Sequence, residues 1–188
     1  MSGIRVEQEG QVRRIVLARV EARNELDPLM AAGLLTAVRE ANADADTRVI
    51  LLEADGPVFC AGGVAVEFEA VHKPVVAVVK GVCISAGVAL IAAAHVVVAA
   101  QGSSFGLTDI RQGRWDAKAF ALVTRAIGSR RALELGLSGR IFSAQEALAY
   151  GLIHSIAPAF EIDDRGMEIA MGLAAADPAV VAVVLGGK

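Results

Sequence analysis

Two short stretches could do chemistry through their backbone: Phe59-Cys-Ala-Gly-Gly63 and Gly81-Val-Cys-Ile-Ser-Ala-Gly87. Each follows a run that reads as a buried strand, and the second opens a helix. N–H groups at the start of a helix lack an intrahelical partner and lie at the positive end of its dipole. Two such groups converging on one point form an oxyanion hole, which stabilises a carbonyl oxygen as it gains negative charge. The glycines alone are explained just as well by two tight turns, and that alternative stays open at this level.

The elements that must hold these turns can be read from pattern. Residues 81–100 carry no formal charge apart from a protonated His95, and a run of that length could cross a bilayer. Three features argue against a span: Lys80 stands directly before it, glycines and serine cluster at its start, and its composition changes midway. Ala/Leu-rich ISAGVALIAAA gives way to β-branched HVVVAA, which predicts a strand at 75–79, a tight turn at 81–86, a helix at about 86–94 and a strand at 96–100. IRVEQE and VRRIVLAR predict two early strands separated by Gly10. Asp27-Pro28 is a helix start running to about Ala41, with Leu29, Ala32, Leu35 and Val38 at helical spacing. RVILLEA is a buried strand, and Ser143 to Glu146 has the spacing of a capping box on a helix closed by Gly151. GLIHSIA is a short strand, and 161–176 an amphipathic helix. Strands alternating with helices imply an α/β fold.

Bulk properties set limits. The chain's 188 residues fit one domain with a sizeable core. With 55% hydrophobic but only 4% aromatic residues, that core must be built from Ala, Val, Leu and Ile. A net charge of −3, with no basic cluster interleaved with aromatics, argues against nucleic acid as a partner. The N-terminus mixes charges into its first residues and lacks a secretory apolar region. Cys60 and Cys83 are too few for a disulfide framework and have no metal-ligand spacing with the histidines, so a reducing cytoplasm, no metal and no membrane are expected.

The order FCAGG, HKPVVAVVKGVCISAGVALIAAAHVVVAA, SSFGLTDI, RAIGSRRALELGLSGRIFSAQEALAYGLIHSIAP resembles the crotonase superfamily, also called the enoyl-CoA hydratase/isomerase family. ARNELD, Ala22 to Asp27, is similar to that family's early motif, and the match runs from about Arg13 to Ala174. The resemblance implies a crotonase-like ββα spiral core over residues 1–160, followed by a C-terminal helical segment, 161–188, shortened relative to the family. It also implies an acyl-CoA thioester as substrate, no cofactor beyond the coenzyme A of that substrate, and a homotrimer or homohexamer. The family's oxyanion hole would fall on the backbone N–H groups of Gly63 and Ala86, with Ala61, Gly62, Val64 and Gly87 lining the substrate site; Trp115, the only tryptophan, could wall the acyl pocket or simply pack.

Departures from the family pattern shape the expected chemistry. Ala89 stands where hydratases carry their first glutamate, and Asp109 at the second. Asp116 lies near the position of an acid used by certain dienoyl-CoA isomerases and a dehalogenase of the superfamily. Asp109 and Asp116 could therefore form a proton-moving pair; alternatively, acids in TDIRQGRWD cap a helix or pair with Arg111 and Arg114. Only eleven residues, VAVEFEAVHKP, separate Gly63 from the strand at Val75, where relatives carry a longer segment lining the acyl pocket. His95 reads as a structural histidine at a helix-to-strand junction. His72 and His154 lack a partner pattern, and Cys60 reads as packed rather than nucleophilic. A lone, shorter acid suits isomerisation better than hydration; the alternative is a non-catalytic acyl-CoA-binding or scaffold member.

Overall fold

The computed structural model describes residues 3–68 and 71–186, and its architecture follows from where the apolar runs can hide. Strands β1 (Ile4–Glu9) and β2 (Val12–Leu17) form an antiparallel hairpin turning at Gly10. β2 then pairs in parallel with β3 (Val49–Ala54), β3 with β5 (Val75–Val79), β5 with β7 (Val96–Ala100), and β7 with β10 (Ser155–Ala157). The result is a six-stranded sheet of order β1-β2-β3-β5-β7-β10. Its middle strands are buried on both faces, so they are apolar at every position but one, Glu53. The two-residue period sorts their side chains into two cores. Ile50, Leu52, Ala77, Val79, Val97 and Ala99 face the interior, while Val49, Leu51, Val76, Val78 and Val98 face the opposite side. There they meet α6 (Ile162–Ala174), whose Gly166 lies so close that a Cβ would come within 2.2 Å of Val78 Cγ2.

A second, four-stranded sheet is built from three-residue strands: β4 (Val58–Cys60), β6 (Val82–Ile84), β8 (Ser104–Gly106) and β9 (Ile141–Ser143). The first three run parallel in that order, and β9 returns antiparallel to β8. Each of β3, β5 and β7 thus feeds a short strand of the small sheet before the chain crosses back. This is the repeated ββα spiral. The turn expected at 81–86 therefore contains a strand, β6, because Val82–Ile84 pairs on both sides.

The helices close the layers. α1 (Pro28–Ala43) begins with Asp27 accepting the Met30 N–H at 2.8 Å, and it buries Met30, Leu34 and Val38. α2 (Ala86–Ala92) is buried along its length apart from its last residue. α3 (Ala117–Ile127) and α4 (Ser129–Ser138) meet at Gly128, and α5 (Ala144–Ala149) starts from a complete Ser143/Glu146 capping box. α6 and α7 (Pro178–Val184) end the described chain. The apolar stretch at 81–100 is β6, α2 and β7, and no single helix among the described residues is long and apolar enough to cross a membrane.

Candidate active site

The small sheet fixes the geometry of the site. In its register Cys60 stands opposite Cys83, and Cys83 opposite Phe105. Three residues beyond each, the chain has left the sheet at the same edge: at Gly63, at Ala86 and at Thr108, with Asp109 next. Neighbouring strands lie about 4.8 Å apart, so these three exits stand side by side at the carboxyl ends of parallel strands. In open α/β sheets that edge is where ligands bind.

The first exit is stapled to the loop after β2. Ala61 N–H donates to Arg23 O (3.1 Å), Leu26 N–H to Gly62 O (2.9 Å), and Val64 N–H to Leu26 O (2.8 Å). This is a parallel bridge between Leu26 and Gly63, which turns the N–H of Gly63 away from Leu26. The approach is close enough that a Cβ on Gly63 would lie 2.3 Å from Leu26 O, at a φ of +108° that L side chains rarely adopt. Asn24 holds the loop itself. Fully buried at φ +53°, its amide donates to Asp55 O (2.9 Å) and Val58 O (2.8 Å) and accepts Arg19 N–H (2.8 Å). The motif ARNELD thus tethers the ends of β3 and β4.

The second exit is a sharp turn. Ser85 takes φ +50° and ψ −108°, an uncommon conformation for a residue with a Cβ, and is pinned by its N–H donating to Gly106 O at 2.8 Å. Its Oγ lies 3.5 Å from Thr108 Oγ1, which ties the second exit to the third. Gly62 packs against it, a Cβ there falling 3.7 Å from Ser85 Cβ, and Gly87 presses on Cys60. Among the described residues the N–H groups of Gly63 and Ala86 have no acceptor. They can therefore receive an oxygen that gains negative charge.

The third exit carries the acids. Asp109 begins a short 3-10 turn, Asp109–Gln112, with the exposed Arg114 guanidinium 3.7 Å from its Oδ1. Asp116 caps α3, its Oδ1 accepting the Ala119 N–H at 3.0 Å, while Oδ2 has no partner among the described residues. Both line one small cavity of about 20 Å³ with Leu107, Trp115, Ala119 and Phe120. Trp115, half exposed, packs against Phe120 with the rings tilted at 45° (4.7 Å between centroids) and closes over Gly136, so it packs and walls that cavity at once.

The chain matches the enoyl-CoA hydratase/isomerase family model over residues 66–185. The chain belongs to the enoyl-CoA hydratase/isomerase family. Its sequence is 30% identical over 195 residues to human enoyl-CoA hydratase domain-containing protein 3, mitochondrial, covering 92% of this chain and 64% of that protein. The rat protein of the same name is 29% identical over 94% of this chain and 66% of its own length. The chain therefore spans just under two thirds of the length of these curated relatives. Among solved structures, human enoyl-CoA hydratase domain-containing protein 3 superposes with a TM-score of 0.89 at 28% identity, covering 96% of this chain and 80% of that one. An enoyl-CoA hydratase from Mycobacterium tuberculosis superposes at 0.91 over 97% and 87%, and its 23% identity bears on the fold alone.

Within this family member, Ala89, where the resemblance to hydratases leads one to expect a glutamate, is fully buried on α2. Of the other expected site residues, Val64 is exposed beside Gly63, Ala61 half-buried, and Gly62 and Gly87 buried against the second exit. In VAVEFEAVHKP, Glu69 and Ala70 lie outside the described residues. Both thiols are free and buried, and burial pushes Cys60 up to about 11 and Cys83 well above the usual range, so neither is a nucleophile. His95 Nδ1 accepts the Val75 N–H (3.0 Å), and His154 Nδ1 accepts the Val97 N–H (2.9 Å). Each histidine extends the ladder of the neighbouring strand. No group of three or more His, Cys, Asp or Glu could hold a metal among the described residues.

Sequence reasoning passed over Ser85, Thr108 and Asn24. The signal for Asn24 lay in its motif; nothing in a single sequence marks the Ser85–Thr108 contact.

Proposed function

We propose that this protein transforms acyl-CoA thioesters through an enolate held by the N–H groups of Gly63 and Ala86. The observation carrying this reading is the pair of unsatisfied donors at adjacent exits of the small sheet, with an acid at the next. Asp109 removes a proton from the acyl chain, charge builds on the thioester oxygen, and the proton returns at a different carbon. Asp116, with Oδ2 free, is the second acid. Adding water calls for two carboxylates around it, and with Ala89 at the first position isomerase-type transfer fits better than hydration. Coenzyme A enters as part of the substrate, and no separate cofactor is needed for a proton shift. We extend the proposal to a homotrimer or homohexamer, as the family resemblance implies, and to the cytoplasm, which suits two free thiols.

The test is turnover on a panel of enoyl-, dienoyl- and β-ketoacyl-CoAs, with Asp109→Asn and Asp116→Asn alongside. Loss of about 100-fold in kcat for Asp109→Asn is expected of a general base. Undiminished turnover in both variants rejects these acids. The buried Ala89 favours one other reading, a non-catalytic acyl-CoA binder; calorimetric binding of thioesters that all remain unchanged would establish that instead.

A further inference from the structure

A second cavity, of about 410 Å³, opens on the far side of the first turn of α3, where Asp116 faces the acid cavity and Lys118 faces this one. Its apolar lining is Leu35 and Val38 of α1 with Phe68 and Val71, packed against the main core. Its polar lining includes Arg39, Lys118 and Glu67. Glu67 is already neutralised by Arg125 at 3.0 Å, whereas Arg39 and Lys118 have no acidic partner among the described residues. In a chain of net charge −3, this cavity sets an apolar floor beside two cations, Arg39 and Lys118.

The cavity adjoins the segment that leaves the first exit, whose Glu67 and Phe68 form part of its lining. Gly63 is bridged to Leu26, next to the start of α1, and Leu35 lies eight residues along that helix from Asp27, about 12 Å at its ordinary rise. The segment leading from Gly63 to Phe68 runs to the same place. An acyl chain whose thioester sits at the first exit would follow this segment and end among Leu35, Val38 and Phe68.

We propose that the cavity receives the far end of the acyl group and that Arg39 and Lys118 select chains ending in a carboxylate, making the substrates half-thioesters of dicarboxylic acids. The proposal rests on the thioester reading above. Apolar carbons satisfy the floor, and the terminal carboxylate supplies counter-charge to two cations that have no acidic partner among the described residues.

The experiment compares dissociation constants of dodecenoyl-CoA and its ω-carboxylated counterpart, for the whole protein and for Arg39→Gln/Lys118→Gln and Lys118→Glu. The wild type should bind the ω-carboxylated thioester about tenfold tighter, as two partly screened charge pairs allow, and the preference should shrink at high salt. In the double glutamine variant the ratio should fall to about one, and Lys118→Glu should lower it too. Equal binding of both thioesters by the wild type, or a preference that survives the double variant, overturns the inference alone. Failure to bind either thioester overturns the thioester reading and this inference with it.

Discussion

Gly63→Ala tests the geometry of the first exit, and its cost can be worked from contacts. The new Cβ would meet Leu26 O at 2.3 Å, Leu26 C at 2.6 Å and Leu26 N at 2.8 Å. All three are backbone atoms, so no rotamer change relieves the clash. The turn must move off the loop, giving up the Leu26–Gly62 and Val64–Leu26 hydrogen bonds, each worth about 1 kcal/mol net. Holding alanine at φ +108° adds about 1–3 kcal/mol. The sum is about 3–5 kcal/mol, or roughly 10 °C in Tm for a domain of this size. Gly10→Ala is the control: its φ is +56°, but nothing lies within 4 Å of the added Cβ. It should cost only about 1 kcal/mol, so the difference between the two isolates the contact with Leu26. Thermal and urea unfolding measure both, and thioester turnover on folded Gly63→Ala reads the effect on its N–H. If Gly63→Ala costs no more than Gly10→Ala, the tight bridge is wrong, and with it the argument that Gly63 N–H faces the site.

Two further outcomes are expected. Asn24→Asp puts an acceptor where two donors now meet Asp55 O and Val58 O, so the urea midpoint should fall by the equivalent of about 2–4 kcal/mol; an unchanged midpoint would remove Asn24 as the tether. Stability should also fall with pH in two windows. Burial lowers the His95 pKa below 6.5, so the unfolded chain binds more protons just under pH 6.5 and stability declines from there downward, in step with loss of the Val75 N–H to Nδ1 bond. Glu146, held at about 2 by the Ser143 N–H and then by Arg140, contributes above its ordinary 4.5 and loses that contribution as pH falls towards 2. Unfolding measured against pH in wild type and His95→Gln should differ in the upper window; identical curves would remove His95 from the account.

What could be read in the sequence divides along a physical line. β5 and β7 were legible because burial on both faces leaves continuous β-branched runs, and α1 and α5 because their caps lie within four residues of what they cap. β4, β6 and β8 were not legible, since three residues are too few to show a period, and what makes them strands is pairing with segments over twenty residues away. The histidines illustrate the same limit. His95 was legible as structural from its helix-to-strand junction and His154 was not, and in neither case could the partner be read, because the N–H groups they accept belong to Val75 and Val97. Asp116 was legible in both its possible roles at once, and the structure shows one of them, the cap, while leaving the second oxygen free.

The site inherits its form from the least legible elements. Each ββα repeat contributes one long strand whose burial holds the fold and one short strand whose end delivers a single group: an N–H at Gly63, an N–H at Ala86, a carboxylate at Asp109. Two of the three are backbone groups, so their identity survives almost any side-chain change that respects φ and space. Alanine at 86 therefore leaves its N–H in place at the start of α2, while the bridge at Gly63 admits nothing larger. The third group is a side chain and can be lost or moved by one substitution. On the proposed reading, charge stabilisation would rest on the register of the small sheet, and the choice of reaction on the few acids and cations along its edge. A slip of one residue between β4 and β6 would rotate the Cys60–Cys83 pair out of register and part the two donors, removing the pair on which the proposed function rests.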